Sequence, residues 1–196
     1  MKKFILAMAA LTFSFGVMSA QDLASATATY NSGAEALTMG NKTSALEYFQ
    51  KALTMAESLG EEGAEVVTNC KNAIPSVILS IGKEYYNNKD LSNAKAKFVE
   101  AAEVAKKYGN EEVTAEVESL LPTVGKRIAL AKVNEAMKNK DIAGVLAGYE
   151  EAMAIDTTDA NTALKYGQFL GNAGKYDDAV VFPFRYIPQF QALLSV

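Results

Sequence analysis

From about residue 24 to residue 182 the apolar positions of the chain recur at intervals of three, four and seven, the spacing of a stripe along one side of a helix. Clusters of turn-forming residues interrupt the stripes at Gly40-Asn41, at Asn87-Asn88-Lys89-Asp90, at Lys138-Asn139-Lys140-Asp141 and at Gly171-Asn172-Ala173-Gly174-Lys175. Asn, Gly and Asp supply left-handed backbone and cap chemistry at such points, so each cluster predicts the tip of a helical hairpin. Leu59-Gly60 and Tyr108-Gly109 predict helix C-caps with glycine in the left-handed position.

The hairpins repeat. Gly33, Ala45, Phe49 and Ala52 are spaced by 12, 4 and 3 residues, and so are Gly82, Ala94, Phe98 and Ala101. A small residue in the first column lets a helix approach its partner closely, and Phe49 or Phe98 is then the large packing residue between two alanines on one stripe. A third unit carries Val145, Tyr149 and Ala152, and a fourth begins with Gly167 and Ala179, which keep the spacing of Gly33 and Ala45.

From Val145 to Ala179 the step is about 34 residues, and this period with these columns resembles the tetratricopeptide repeat family. The likeness rests on Gly33/Ala45/Phe49/Ala52, Ile78/Ile81/Gly82/Tyr85/Ala94/Phe98/Ala101, Tyr149/Ala152/Asp156 and Tyr166/Gly167/Ala179. It implies an all-α, right-handed superhelical solenoid over residues 21–182, with units at about 24–60, 61–109, 110–157 and 158–182. Two departures stand out. Ala45 to Ala94 is 49 residues and Ala94 to Val145 is 51, so helix has been added to the first member of each hairpin. The added segments, 61–88 and 111–139, each hold a proline, Pro75 or Pro122, which is expected to kink the helix or split it in two. Long units with joints such as LGEEG and YGNEE resemble the extended repeats of scaffold proteins and of secreted bacterial proteins.

In that family the first helices line a concave groove that binds a peptide or protein. The resemblance therefore implies a partner-binding groove at Tyr30, Leu79, Lys83, Tyr86, Asn87, Asn134, Lys138, Gln168 and Asn172, with Leu37 and Leu130 beside them. The family's clamp for a C-terminal carboxylate needs Lys and Asn where this chain has Tyr30, Ala34, Ser76 and Ser80, so that clamp is not expected.

Residues 1–20, with Lys2 and Lys3, an apolar run from Phe4 to Val17 and small residues up to Ala20, read as a secretory signal peptide cut before Gln21. The run is short for a membrane span. No cysteine lies near the cut, so the exported chain is expected to be soluble, periplasmic or secreted, and not a lipoprotein. Without the leader the charge moves from -4 to -6, which offers no footprint for nucleic acid or for an anionic membrane surface. The single Cys70 predicts no internal disulfide and reads as a small buried helix residue.

The chain contains no histidine and no tryptophan, which removes Ser-His, Cys-His and His-metal chemistry. The carboxylate pairs Glu61-Glu62, Glu111-Glu112, Glu150-Glu151 and Asp177-Asp178 are adjacent in sequence and diverge on a helix, so they read as solvated faces or helix N-termini. Residues 156–161 lack the Gly and Glu of a calcium loop and read as an inter-repeat turn with a cap. No enzyme, cofactor or metal is expected. The function expected is a protein- or peptide-binding scaffold; the alternative is a self-associating structural component of the cell envelope.

The regular fourth unit breaks at Pro183, in the middle of its expected second helix, and Pro188 follows. Residues 183–196 form an irregular apolar tail with Arg185 as its one charge, unlike the polar cap a solenoid end requires. Either this tail folds back over the preceding helices, or the frame has shifted or been truncated near Phe182; the abruptness of the break favours the second.

Overall fold

Asn41, Asp90, Asn110, Asp141 and Asp159 each accept a hydrogen bond from a backbone amide two or three residues further on, at 3.0–3.2 Å, and each opens a helix. The computed structural model describes residues 22–174. These form helices α1 (22–38), α2 (Lys42–Glu57), α3 (Ala64–Asn87), α4 (Leu91–Tyr108), α5 (Glu111–Lys138), α6 (Ile142–Ile155) and α7 (Ala160–Asn172), with a 3-10 turn at Gly60–Gly63. Among the described residues the protein is all-helical, with no strand, and its helices pack in adjacent pairs. The expected leader, the expected second helix of the fourth unit and the tail at 183–196 lie outside the described residues.

Left-handed residues stand directly before four of the capping residues: Gly40 (φ 79°), Lys89 (φ 65°), Gly109 (φ 72°) and Lys140 (φ 56°). At three of these junctions the capping residue's own amide also reaches back along the chain, from Asn41 to Ala36, Asn110 to Ala105 and Asp141 to Ala136, at 2.8–2.9 Å. One helix is thereby closed and the next opened almost at once. Glycine suits this backbone; at Lys89 and Lys140 a side chain is held there against its preference. Gly60 (φ 61°) and Gly109 adopt the left-handed form expected of them.

The chain divides into two compact units. The first comprises the residues up to Asn88 together with Ala96–Val117. Its core is the repeat made physical. Ala45, Phe49, Ala52, Leu53 and Ala56 are buried on α2, and the matching columns of the next repeat, Phe98, Ala101, Ala102 and Ala105, are buried on α4. Phe49 lies against Gly33 of α1, and Phe98 against Gly82 of α3: a Cβ placed on either glycine would fall 2.8 Å and 2.6 Å from the ring. Cys70, Ile74, Val77 and Ile78 of α3 complete this core.

The second unit comprises Lys89–Lys95 and the chain from Glu118 onward. Its core gathers Val133, Val145, Tyr149, Met153, Ala163, Tyr166 and Leu170. The Tyr149 and Tyr166 rings stack at 5.3 Å between centroids, and the Tyr166 hydroxyl donates to Glu150 at 3.1 Å. Here the small and large partners are exchanged. The first-helix position that holds Gly33 and Gly82 in the other hairpins holds Val133, and it packs onto a glycine of the second helix, Gly148, whose Cβ would meet Val133 at 2.6 Å. Close approach of the two axes is kept by moving the missing side chain to the opposite helix.

Of the two outcomes expected at Pro75 and Pro122, a kink or a split, the split does not occur. Each lies within a continuous helix, of 24 residues for α3 and 28 residues for α5. A proline interrupts one hydrogen bond, but buried apolar positions continue on both sides, Ile74 with Val77 and Ile78 in α3 and Val117 with Val124 in α5. Burial on both sides of the proline holds the two halves on one continuous helix. The additional length of α5 over α3 amounts to about one turn, so its stripe resumes on nearly the same side.

Candidate functional site

The residues expected to line a groove belong to α1, α3, α5 and α7. In the first unit Tyr30 is half-buried, its ring tilted on Phe49 at 5.1 Å, and so serves the core with one face. Leu79 is 3% exposed; it is a packing residue of its unit and offers no surface to a ligand. Lys83 donates its ammonium to Glu116 at 2.6 Å, both side chains being close to half exposed. Tyr86 is half-buried and Asn87 exposed. Lys83 stands three and four positions before Tyr86 and Asn87, on one side of α3. Leu37 is half-buried.

In the second unit Asn134, Lys138, Gln168 and Asn172 are all exposed. They form two i, i+4 pairs, one on α5 and one on α7, presenting amide and ammonium groups to solvent. Leu130 is partly buried against the core.

A separate cleft, of about 370 Å³, lies between α5 and α6 in the second unit. None of the groove residues lines it. Gly144, Gly148, Lys132, Glu135, Asn139, Asp141 and Glu151 are among the residues that line it. Lys132 pairs with Glu151 at 2.7 Å, and Asp141 is occupied in capping α6 through the Gly144 amide at 3.0 Å. The pair Gly144/Gly148 in Ile-Ala-Gly-Val-Leu-Ala-Gly is the sequence signal for this furrow, and an alignment of the hairpin on Val145 and Tyr149 passes over it.

One charge cluster of the second unit is structural. Lys126 of α5 donates to Asp156 at 2.9 Å and approaches Asp159 at 3.0 Å, tying α5 to the turn between α6 and α7. The Thr162 hydroxyl, then the Lys126 ammonium and the Thr162 amide, hold the Asp159 carboxyl down at about 2 against its partial burial. Asp156 is lowered mainly by Lys126 and then by Thr158, and Lys126 is raised by the two carboxylates. The segment 156–161 thus serves as turn and helix cap, as its sequence suggests, with an ammonium at its centre. Among the described residues no group of three or more His, Cys, Asp or Glu is placed to hold a metal ion. Cys70 is buried, and desolvation pushes its thiol up to about 11. No described helix is long and apolar enough to cross a membrane.

No protein-family model matches the chain, and no curated protein matches it.

Proposed function

We propose that the protein is an exported, non-catalytic scaffold of tetratricopeptide type, whose first helices line a concave face that takes an extended peptide or a segment of another protein. The observation that carries this reading is the equivalence of two hairpins: Phe49 on Gly33 and Phe98 on Gly82 make the same contact in successive repeats. Units that repeat such a contact build a surface from the helices that carry the glycines. The side chains those helices leave at least partly open include Lys83, Tyr86, Asn87, Asn134, Lys138, Gln168 and Asn172. Amides, a tyrosine and ammonium groups suit the polar backbone of an extended ligand. Histidine-free chemistry and an acidic chain further favour a binding role over catalysis or nucleic-acid contact.

A photo-crosslinking residue at Asn87 or Asn134, in the full chain expressed in its native cell envelope, tests the reading. The expected result is that both positions capture the same protein, while Lys51 of α2 and Lys95 of α4, also exposed, do not. Capture from the second helices and not from the first would overturn the groove. N-terminal sequencing of the same purified chain tests export, with Gln21 as the expected first residue.

A further inference from the structure

Val133 of α5 and Gly167 of α7 are equivalent positions, 34 residues apart, and the exposed residues around them correspond. Six places before them stand Arg127 and Asn161, two before stand Ala131 and Lys165, one after stand Asn134 and Gln168, and five after stand Lys138 and Asn172. All eight are exposed, and on each helix the four fall within about 60° of one another, as one stripe. The two helices are neighbours in the second unit, where Val133 and Ala136 of α5 share a core with Ala163, Tyr166 and Leu170 of α7.

The two stripes hold three cations, four amides and no carboxylate, in a chain with 23 acidic against 19 basic residues. The equivalent positions of α1 and α3, counted from Gly33 and Gly82, hold no carboxylate either. Carboxylates of the second unit are engaged elsewhere. Glu151 pairs with Lys132, Asp156 and Asp159 hold Lys126, and Glu150 accepts the Tyr166 hydroxyl. Asp141 caps α6, and Glu135 lines the cleft between α5 and α6. Neither Lys138 nor Lys165 has an ion-pair partner among the described residues. Ammonium groups without counter-ions, set among amides, are complementary to carboxylates carried on an extended chain whose backbone the amides bond.

We propose that the α5 and α7 stripes take an acidic segment of another protein, an extended stretch rich in Asp or Glu. Its carboxylates meet Lys138 and Lys165, and its backbone is bonded by Asn134, Gln168 and Asn172. The net acidity of the chain opposes a long polyanion such as nucleic acid, whereas a short segment feels the local cations within a screening length of about 8 Å. The proposal rests on the scaffold reading above and adds the chemical class of the partner.

Two labelled peptides of about ten residues, long enough when extended to cross two helices about 10 Å apart, test it against the full-length protein by fluorescence anisotropy. One alternates Asp with Ser, the other Asn with Ser, and both have blocked termini so that no terminal carboxylate supplies the contact. The Asp peptide is expected to bind at least about tenfold more tightly, and less so as salt is raised. Lys138→Ala with Lys165→Ala should lower that affinity about tenfold, while Lys51→Ala with Lys95→Ala, exposed lysines of α2 and α4, should leave it unchanged. Equal affinity for the two peptides, or none for either, would overturn the acidic class; capture at Asn87 and Asn134 decides the scaffold reading separately. An equal loss from both lysine pairs would also overturn it, by showing a response to overall charge alone. Tighter binding of a thymidine oligonucleotide with the same number of charges would replace the acidic segment with a polyanion.

Discussion

The Phe98 ring occupies the space a side chain on Gly82 would need, with its Cδ1 2.6 Å from the ideal Cβ position. Gly82→Ala is therefore expected to destabilise, because overpacking at about 1–3 kcal/mol outweighs the roughly 1 kcal/mol that alanine gains in helix propensity. Adding Phe98→Leu should recover part of the loss. A double-mutant cycle by urea unfolding checks this; coupling under about 0.5 kcal/mol would mean the two positions do not share the contact.

Ala94 lies fully buried on α4, one turn before Phe98. Ala94→Leu forces extra methylenes into a fully buried position and should cost about 1–3 kcal/mol, read as a lower thermal midpoint. An unchanged melting curve would refute the register.

Lys89 and Lys140 hold φ values of 65° and 56° in hairpin tips where Gly40 holds 79°. Glycine at either lysine removes strain of about 1–2 kcal/mol and adds unfolded-state entropy that returns some of it, so each substitution should stabilise by about 0.5–1 kcal/mol. Thermal melts of Lys89→Gly and Lys140→Gly test this. A fall in midpoint for both would argue that the ammonium groups matter more than the backbone.

Asp159 has a folded-state carboxyl at about 2, below the ordinary value of 3.8. A depressed carboxylate stabilises the fold above its unfolded value, and that contribution is lost as pH falls through the folded one. The stability gap between the parent and Asp159→Ala, on the order of 1–2 kcal/mol at neutral pH after allowance for solvent screening, should thus shrink between about pH 4 and pH 2. Its chloride dependence should be weak, since the Thr162 hydroxyl at 2.7 Å is the leading cause. A gap constant across that window would show that the carboxylate charge is not what matters.

Pro122 is exposed in mid-helix, whereas Pro75 is buried in the core. Pro122→Ala should restore a backbone hydrogen bond and raise stability by about 1–3 kcal/mol. Pro75→Ala gains the same bond but loses buried packing, and should give a smaller rise or none. Equal gains at both sites in chemical denaturation would contradict the difference in burial.

The helices, their tips and the columns that hold Gly82 and Phe98 were legible in the sequence because each depends on short-range chemistry. An amide capped by a side chain one turn back, a left-handed residue before Asn or Asp, and a buried stripe of helical period are set by neighbours along the chain. What the tertiary structure alone decided depends on which of several allowed arrangements fills space. Val133 with Gly148 satisfies close approach as well as glycine with phenylalanine does, and the alignment on Val145 and Tyr149 did not single it out. Pro75 and Pro122 carry a local signal to kink or split a helix, and with apolar burial on both sides of each the helix is not split. Leu79 fits the groove side by its helical position, yet the packing around it leaves it 3% exposed. Lys126 meets Asp156 and Asp159 from a different helix, far back along the chain, and a pairing at that range follows from the fold and from no local rule. Periodicity places a residue on a side of its helix; only the packed neighbours determine whether that side faces protein or water.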